Sequence, residues 1–313
     1  MRWLVTGAAG MLGRDMCTVL AQAGEHAVTA ATRADLDLLD PDAVRAAVAG
    51  HDVVVNTAAW TDVDGAEADE PAATAVNGSA VADLASACAR TGAYLFHLST
   101  DYVFAGDATS PYPEDAPTAP VNAYGRSKLV GERAVLAQLP ERGYVLRTAW
   151  LYGAYGRNFV TTMLRLARER DTVDVVADQA GQPTWSYALA AQLVALAGAA
   201  VAGHGPPGVY HATASGQTTW YGLARAVFQE AGLDPDRVRP TTSDRFPRPA
   251  PRPGYSVLGH GRWAAAGIPA LPDWRGMLSQ ALSTPGLTAG TAAGTTAGTT
   301  AGAGGSRPPG RRE

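Results

Sequence analysis

Lys128 is the only lysine among 313 residues, and every other basic side chain apart from histidine is arginine. It follows Tyr124 by four positions, in Tyr124-Gly-Arg-Ser-Lys128. That spacing puts phenol and ammonium on one side of a helix, where they can meet. An ammonium beside a phenol favours the phenolate and brings its pKa down from about 10 toward neutrality, so the pair could transfer a proton. With 11 tyrosines in the chain, one lysine would fall at this spacing in roughly 4% of random placements, so the pair needs supporting features. Two are present. Ser99-Thr100-Asp101-Tyr102 directly follows the apolar run Tyr94–Leu98, and a hydroxyl at such a strand end can hydrogen-bond a carbonyl oxygen as charge develops on it. Gly7-Ala-Ala-Gly10-Met-Leu-Gly13 follows the first apolar run and opens the first helical stretch, the context a dinucleotide fingerprint requires. Hydroxyl, phenol and ammonium beside a dinucleotide are sufficient for reducing a carbonyl by hydride.

In the glycine loop, Gly7 permits the tight turn. Gly10 lets backbone approach a pyrophosphate at the helix N-terminus, and Gly13 allows helix to lie close on strand. The second strand ends Val28-Thr-Ala-Ala-Thr32-Arg33 with no acid for a ribose diol. Arg33 could hold a 2′-phosphate, which favours NADPH, with NADH as the alternative; the competing reading is a surface arginine in a loop. Asp37 and Leu38 are placed to flank adenine. Small residues in Asn56-Thr57-Ala58-Ala59 would let the cofactor lie over the sheet.

The elements that must position these groups are legible as alternation. Apolar runs at Trp3–Thr6, His26–Ala30, Asp52–Asn56, Tyr94–Leu98 and Tyr144–Thr148 are separated by helical stretches near Met11–Ala23, Pro41–Ala49, Asp69–Thr91 and Tyr124–Gln138. Unbroken apolar strands between helices predict an α/β fold: a Rossmann-type, doubly wound parallel sheet with ligands at the carboxyl ends of its strands. The amphipathic stretch Asn158–Glu169, with Phe159, Met163, Leu164 and Leu166 on its apolar side, opens a smaller, interleaved C-terminal substrate lobe. The expected division is a cofactor domain over 1–152 to which 184–213 returns, through helix Ser186–Ala202 and strand Gly208–His211. A substrate lobe would occupy 153–183 and 214–282. The Thr/Ala/Gly-rich tail, 283–313, is too poor in apolar residues to offset its ordering entropy and is expected to be disordered.

A net charge of −4 gives no reason to expect nucleic acid or an anionic membrane as partner. Cys17 and Cys88 lie in Ala-rich helical patterns, so neither a disulfide framework nor a metal cluster is expected. The absence of a long apolar run and of a signal peptide predicts a cytoplasmic protein.

The motifs together resemble the extended short-chain dehydrogenase/reductases that act on nucleotide sugars. Within them, Val55–Ala59, Ser99–Phe104, Tyr124–Glu132, Arg147–Trp150, Asn158-Phe159 and Asp178–Thr184 are similar to the dTDP-4-dehydrorhamnose reductase family, in matching order over roughly 1–282. The resemblance implies reduction of the C4 ketone of a dTDP-sugar by NADPH, in deoxysugar biosynthesis. It implies Thr100, Tyr124 and Lys128 as the catalytic set, and substrate contacts from Thr100, Asp101, Trp150, Asn158 and Gln182. It also implies cofactor contacts from Gly10, Met11, Leu12, Asp37, Leu38, Thr57, Ala58, Ala59, Tyr124 and Lys128. Arginines between Arg245 and Arg252 are candidates for a diphosphate, against a solvated loop. A related dehydratase would carry Asp-Glu after the threonine, where this chain has Asp101-Tyr102. The other readings are an epimerase, a reductase for another dTDP-4-keto sugar such as the precursor of dTDP-dihydrostreptose, and a non-enzymatic NADPH-binding regulatory subunit.

Overall fold

A computed structural model describes residues 1–284, 286 and 287. The N-terminal half runs β1 (Arg2–Thr6), α1 (Met11–Ala23), β2 (Ala27–Ala31), α2 (Pro41–Val48), β3 (Val53–Asn56), α3 (Val63–Ala68), α4 (Glu70–Thr74), α5 (Ala80–Thr91), β4 (Tyr94–Thr100), α6 (Ala123–Gln138) and β5 (Gly143–Thr148). Then follow β6 (Leu151–Tyr152), α7 (Phe159–Glu169), β7 (Val173–Val176), β8 (Ala180–Gly181), β9 (Thr184–Trp185), α8 (Ser186–Val201) and β10 (Gly208–His211). The chain ends with β11 (Ala214–Ser215), β12 (Thr218–Thr219), α9 (Trp220–Glu230), β13 (Val238–Thr241), β14 (Leu271–Asp273) and α10 (Trp274–Ser283).

Six strands form one parallel sheet in the order β10-β5-β4-β3-β1-β2. The chain winds outward from β1 to β2, returns to β3 and continues to the opposite edge. The reversal between β1 and β3 is the switch point at which such sheets bind ligands. Alternation along the strands feeds two cores. Trp3, Val5, Val53, Val55, Phe96 and Leu146 face α1 and α8, whereas Leu4, Val54, Leu95 and Val145 face α2, α5 and α6. The first core continues without a break into the second lobe, through Val160, Met163, Leu223, Phe228 and Met277. Parallel pairs β7–β13, β6–β9 and β11–β14 and the antiparallel pair β8–β12 complete that lobe.

One sequence expectation is refined and one needs correction. The helix expected over Asp69–Thr91 is present from Glu70 to Thr91, with one π-helical turn inside it. Asp62 caps α3, Asp69 caps α4, and Ala75–Ser79 widens into a π-helical turn before α5. The extra residue turns the buried Asn77 onto Trp60 and Ser127, which it bonds through its carboxamide. At the other end, packed chain runs beyond position 283. Leu287 is 2% exposed and joins the first core, because one leucine carries enough apolar surface to anchor a turn. The rest of the expected disordered tail lies outside the described residues. No helix among the described residues is long and apolar enough to cross a membrane.

Candidate active site

The glycine loop is shaped by packing at two glycines and by something else at the third. Gly7 has φ +67°, and a Cβ there would lie 2.6 Å from the Ala58 nitrogen. At Gly13 a Cβ would lie 2.3 Å from the Gly7 carbonyl oxygen. Both are required by the fold itself. Gly10 has φ −73° as the N-cap of α1, and its Cβ would meet only the Gly7 oxygen, at 3.2 Å. Packing therefore does not require glycine there, whereas close approach of a ligand would. No side chain caps α1 and no acid lies in its first turn, which suits an anion at its N–H groups. Thr57 closes the cradle: its hydroxyl donates to the Thr6 and Gly7 carbonyls at 2.6 and 3.3 Å. Met11, Ala58 and Ala59 are half-buried around it, and Leu12 is buried. These residues fit a dinucleotide.

The turn after β2 is built by Asp35, which accepts from both the amide and the hydroxyl of Thr32. Arg33 is exposed at this turn. Asp37 is exposed and accepts from the Leu39 amide at 2.9 Å, while Leu38 rests partly on the second core.

Thr100 ends β4 in register with Thr148 of β5, so its side chain stands at the carboxyl edge. Its hydroxyl lies 3.0 Å from an Asp101 carboxylate oxygen and accepts from the Tyr102 amide at 3.2 Å. Asn122 caps α6, accepting from the Gly125 amide at 2.8 Å, and its amide donates to the Pro251 carbonyl. This fixes the first turn of α6, and with it Tyr124, against the 245–253 loop. The Tyr124 phenol stands within hydrogen-bond reach of Thr100. Threonine, tyrosine and carboxylate thus converge where the glycine loop also opens.

The electrostatics differ from the sequence expectation. Burial, and then the Asp101 charge, push the Tyr124 phenol above its usual range, with only the Thr100 hydroxyl acting the other way. Lys128 is 2% exposed, and burial brings its pKa down to about 8 against the pull of Glu132. Its ammonium donates to the Leu98 carbonyl at 2.6 Å. The groups that shift the Tyr124 phenol are Asp101 and Thr100, while Lys128 is held by the Leu98 carbonyl. Burial also pushes the Asp101 carboxyl up to about 6, despite hydroxyls from Ser256 and Thr100; no donor meets its Oδ2 in full hydrogen-bond geometry among the described residues.

Two residues expected at the substrate are committed to the fold. Asn158 caps α7 in a reciprocal box with Thr161 and donates to the Gly153 carbonyl at 2.9 Å. Gln182 is buried, donating to the Leu258 carbonyl and accepting from the Leu258 amide and the Thr213 hydroxyl. Trp150 lies two residues beyond β5, at the carboxyl edge of the sheet. It has φ +46°, the only positive φ of a non-glycine residue among those described. It stacks on Trp220 at 3.6 Å and 9°, and a Cβ at Gly181 would enter its ring. Such strain persists where surrounding structure enforces it, commonly at ligand sites. Trp220 carried no motif of its own, and only the stack reveals it. In the arginine loop, Arg252 and the Ala250 amide bind Asp64 at 3.0 and 3.3 Å, with Arg248 3.9 Å away.

The family model described as RmlD substrate binding domain matches residues 1–285. A dTDP-4-dehydrorhamnose reductase of Streptomyces griseus is 56% identical over 90% of this chain and 92% of its own. A dTDP-4-keto-6-deoxy-D-glucose reductase of Streptomyces niveus is 52% identical over 90% and 96%. The crystal structure of a dTDP-4-dehydrorhamnose reductase from Bacillus anthracis in complex with NADP superposes with a TM-score of 0.83 at 33% identity, covering 90% of this chain and 98% of that one.

Proposed function

This chain belongs to the RmlD substrate binding domain family, and from that membership we propose that it is an oxidoreductase reducing the C4 ketone of dTDP-4-dehydro-β-L-rhamnose to dTDP-β-L-rhamnose. NADPH, when bound, supplies the hydride that goes to C4. Gly7, Gly10, Gly13 and the N-terminus of α1 hold its pyrophosphate, with Met11, Leu12 and Thr57–Ala59 beside it; Asp37 and Leu38 flank the adenine and Arg33 takes the 2′-phosphate. The observation that carries the reading is the convergence of Thr100 and Tyr124 at the carboxyl edge, on a sheet that opens with this loop.

Thr100 and Tyr124 hold the ketone oxygen. Burial keeps the phenol protonated, the form a proton donor needs, and the Tyr124 proton passes to the oxygen as the C4–O group becomes an alkoxide. The Thr100 hydroxyl, within reach of the phenol, acts to lower its pKa against the effect of burial. Lys128 supplies the nearby positive charge and a contact to the cofactor ribose. Trp150 bears on the substrate, Asp101 with Thr100 orients it, and Arg248 and Arg252 exchange Asp64 for its diphosphate.

A second ketosugar is favoured by one observation: the relative named for dTDP-4-keto-6-deoxy-D-glucose is nearly as similar as the one named for dTDP-4-dehydrorhamnose. The test offers each sugar nucleotide separately, follows NADPH oxidation and identifies the product. Stoichiometric NADPH consumption with dTDP-rhamnose as product is expected. Tyr124→Phe and Lys128→Ala should each lose at least about a hundredfold in kcat; parental rates in either would remove it from the catalytic set, and retained NADPH binding without turnover on any ketosugar would identify a regulatory subunit instead.

A further inference from the structure

Behind Lys128 lies a row of buried polar side chains. Parallel register sets Thr6, Asn56 and His97 side by side on β1, β3 and β4, on the sheet face that α6 covers. All three are 0–1% exposed. The Asn56 carboxamide oxygen accepts from the Thr6 hydroxyl at 2.7 Å and from the Ala58 amide at 3.2 Å. A backbone N–H can only donate, so the orientation of this carboxamide is determined. Its NH2 therefore faces His97 Nδ1, at 3.1 Å, and Nδ1 must accept. A neutral ring that accepts at Nδ1 carries its hydrogen on Nε2. His97 Nε2 lies 3.4 Å from Lys128 Nζ, so an N–H edge faces the ammonium. Position 131 is glycine because a Cβ would lie 2.3 Å from the Asn77 carbonyl and 3.3 Å from His97 Nε2. α6 is thus brought down onto this ring.

We propose that His97 is a positioning residue for Lys128: Asn56 locks its ring as the Nε2–H tautomer, and that N–H edge confines the ammonium to the Leu98 carbonyl and weakens its hold on the third proton. The inference rests on the reading of Lys128 as Tyr124's catalytic partner. Imidazolium is disfavoured twice over, since it would be buried beside Lys128 and would set an Nδ1–H against the Asn56 amide. The other charges around Lys128 are Glu132, one turn along α6, which draws its proton affinity upward, and Arg147 of β5, which is paired with Glu132. Tyr124, one turn before Lys128, and Asp101, just beyond β4, are further titratable groups of the site, with Tyr102 beside them both. Burial prevails over Glu132 and brings the lysine down to about 8.

Because the chain has one lysine, biosynthetic labelling with ε-13C-lysine yields a single side-chain resonance, and Lys128 can be titrated in the whole protein with no cofactor, substrate or turnover. In the unsubstituted protein the midpoint should be about 8. His97→Asn keeps an acceptor within reach of Asn56 but withdraws the N–H edge from Nζ. Its midpoint should rise by about half a pH unit or more, and the alkaline limb of kcat should move up with it while KM for the sugar nucleotide changes less than about twofold. An unchanged midpoint overturns the proposal. If His97→Asn does not fold, long-range 1H–15N spectra of the parent imidazole decide: the Nε2–H tautomer throughout pH 6 to 9 supports it, and Nδ1–H or a titration in that range sinks it. A shifted midpoint in a protein that turns over no ketosugar would uphold His97's effect on Lys128 and reject the assigned reaction.

Discussion

The Asp101 carboxyl is buried beside two phenols, Tyr102 and Tyr124, and raises the pKa of both. Its own pKa, lifted from 3.8 to about 6, corresponds to roughly 3 kcal/mol of strain on the ionised native state. The native state binds this proton more tightly than the unfolded chain does. The group's contribution to stability is therefore fully present below pH 3.8 and is lost as pH rises through about 6. Asp101→Asn should accordingly be more stable than the parent at pH 7.5, by up to about 3 kcal/mol, with the difference closing toward pH 4. Urea unfolding at the two pH values checks this, and a difference independent of pH would show that the carboxylate is not the source. A buried acid kept at such a cost fits a group retained for the site and not for the fold. The spacing Tyr124–Lys128 and the strand-end Thr100 were legible in the sequence, since both follow from local geometry. The state of each titratable group was not, because burial and partners come from distant chain.

At the scale of elements, the strand–loop–helix unit β1–α1 separates two uses of glycine that are indistinguishable in the motif. Gly7→Ala forces a methyl onto the Ala58 backbone at a left-handed φ and should destabilise the protein by about 1–3 kcal/mol. Gly10→Ala meets no such contact and should leave the melting temperature nearly unchanged while weakening NADPH binding about tenfold or more. Calorimetric titration beside thermal unfolding distinguishes the two, and parental NADPH affinity in Gly10→Ala would show that the cofactor does not cross that glycine. The alternation of strands and helices was readable because the central strands β1, β3, β4 and β5 are buried on both faces, which gives unbroken apolar runs between the helices. The π-turn inside the helix that leads into α5 was not, since it serves the contact of Asn77 with Trp60 and Ser127, and the last of these is 50 residues away.

Across the whole molecule, Glu132 joins layers that the sequence keeps far apart. It receives the Ser99 hydroxyl of β4 at 2.5 Å and the Arg147 guanidinium of β5 at 2.7 Å, all buried. Arg147 also donates to the Glu114 carbonyl and lies over the Phe104 ring, and the Glu114 carboxylate accepts from the Arg262 amide. Helix α6, two central strands and the C-terminal lobe thus share one charge cluster. Arg147→Met strands the Glu132 charge and should cost about 3–5 kcal/mol, most of it recovered when Glu132→Gln is added. Chemical denaturation of the single and double variants tests this, and equal losses in both would mean that Arg147 acts by packing alone.

By itself the sequence determined the order of strands and helices, the glycine loop at the first of them, and the spacing of a tyrosine and a lysine on one helix. These are short-range properties, set by side-chain period, backbone sterics and the rise of a helix. Only the tertiary structure decided that Lys128 faces His97 and the Leu98 carbonyl, that Tyr124 is held protonated, that Trp150 is strained against Trp220, and that Asn158 and Gln182 are consumed by caps and loops. Those outcomes depend on desolvation and, for Lys128, Trp150 and Gln182, on partners 30 to 76 residues away, quantities that do not exist until the chain has closed on itself.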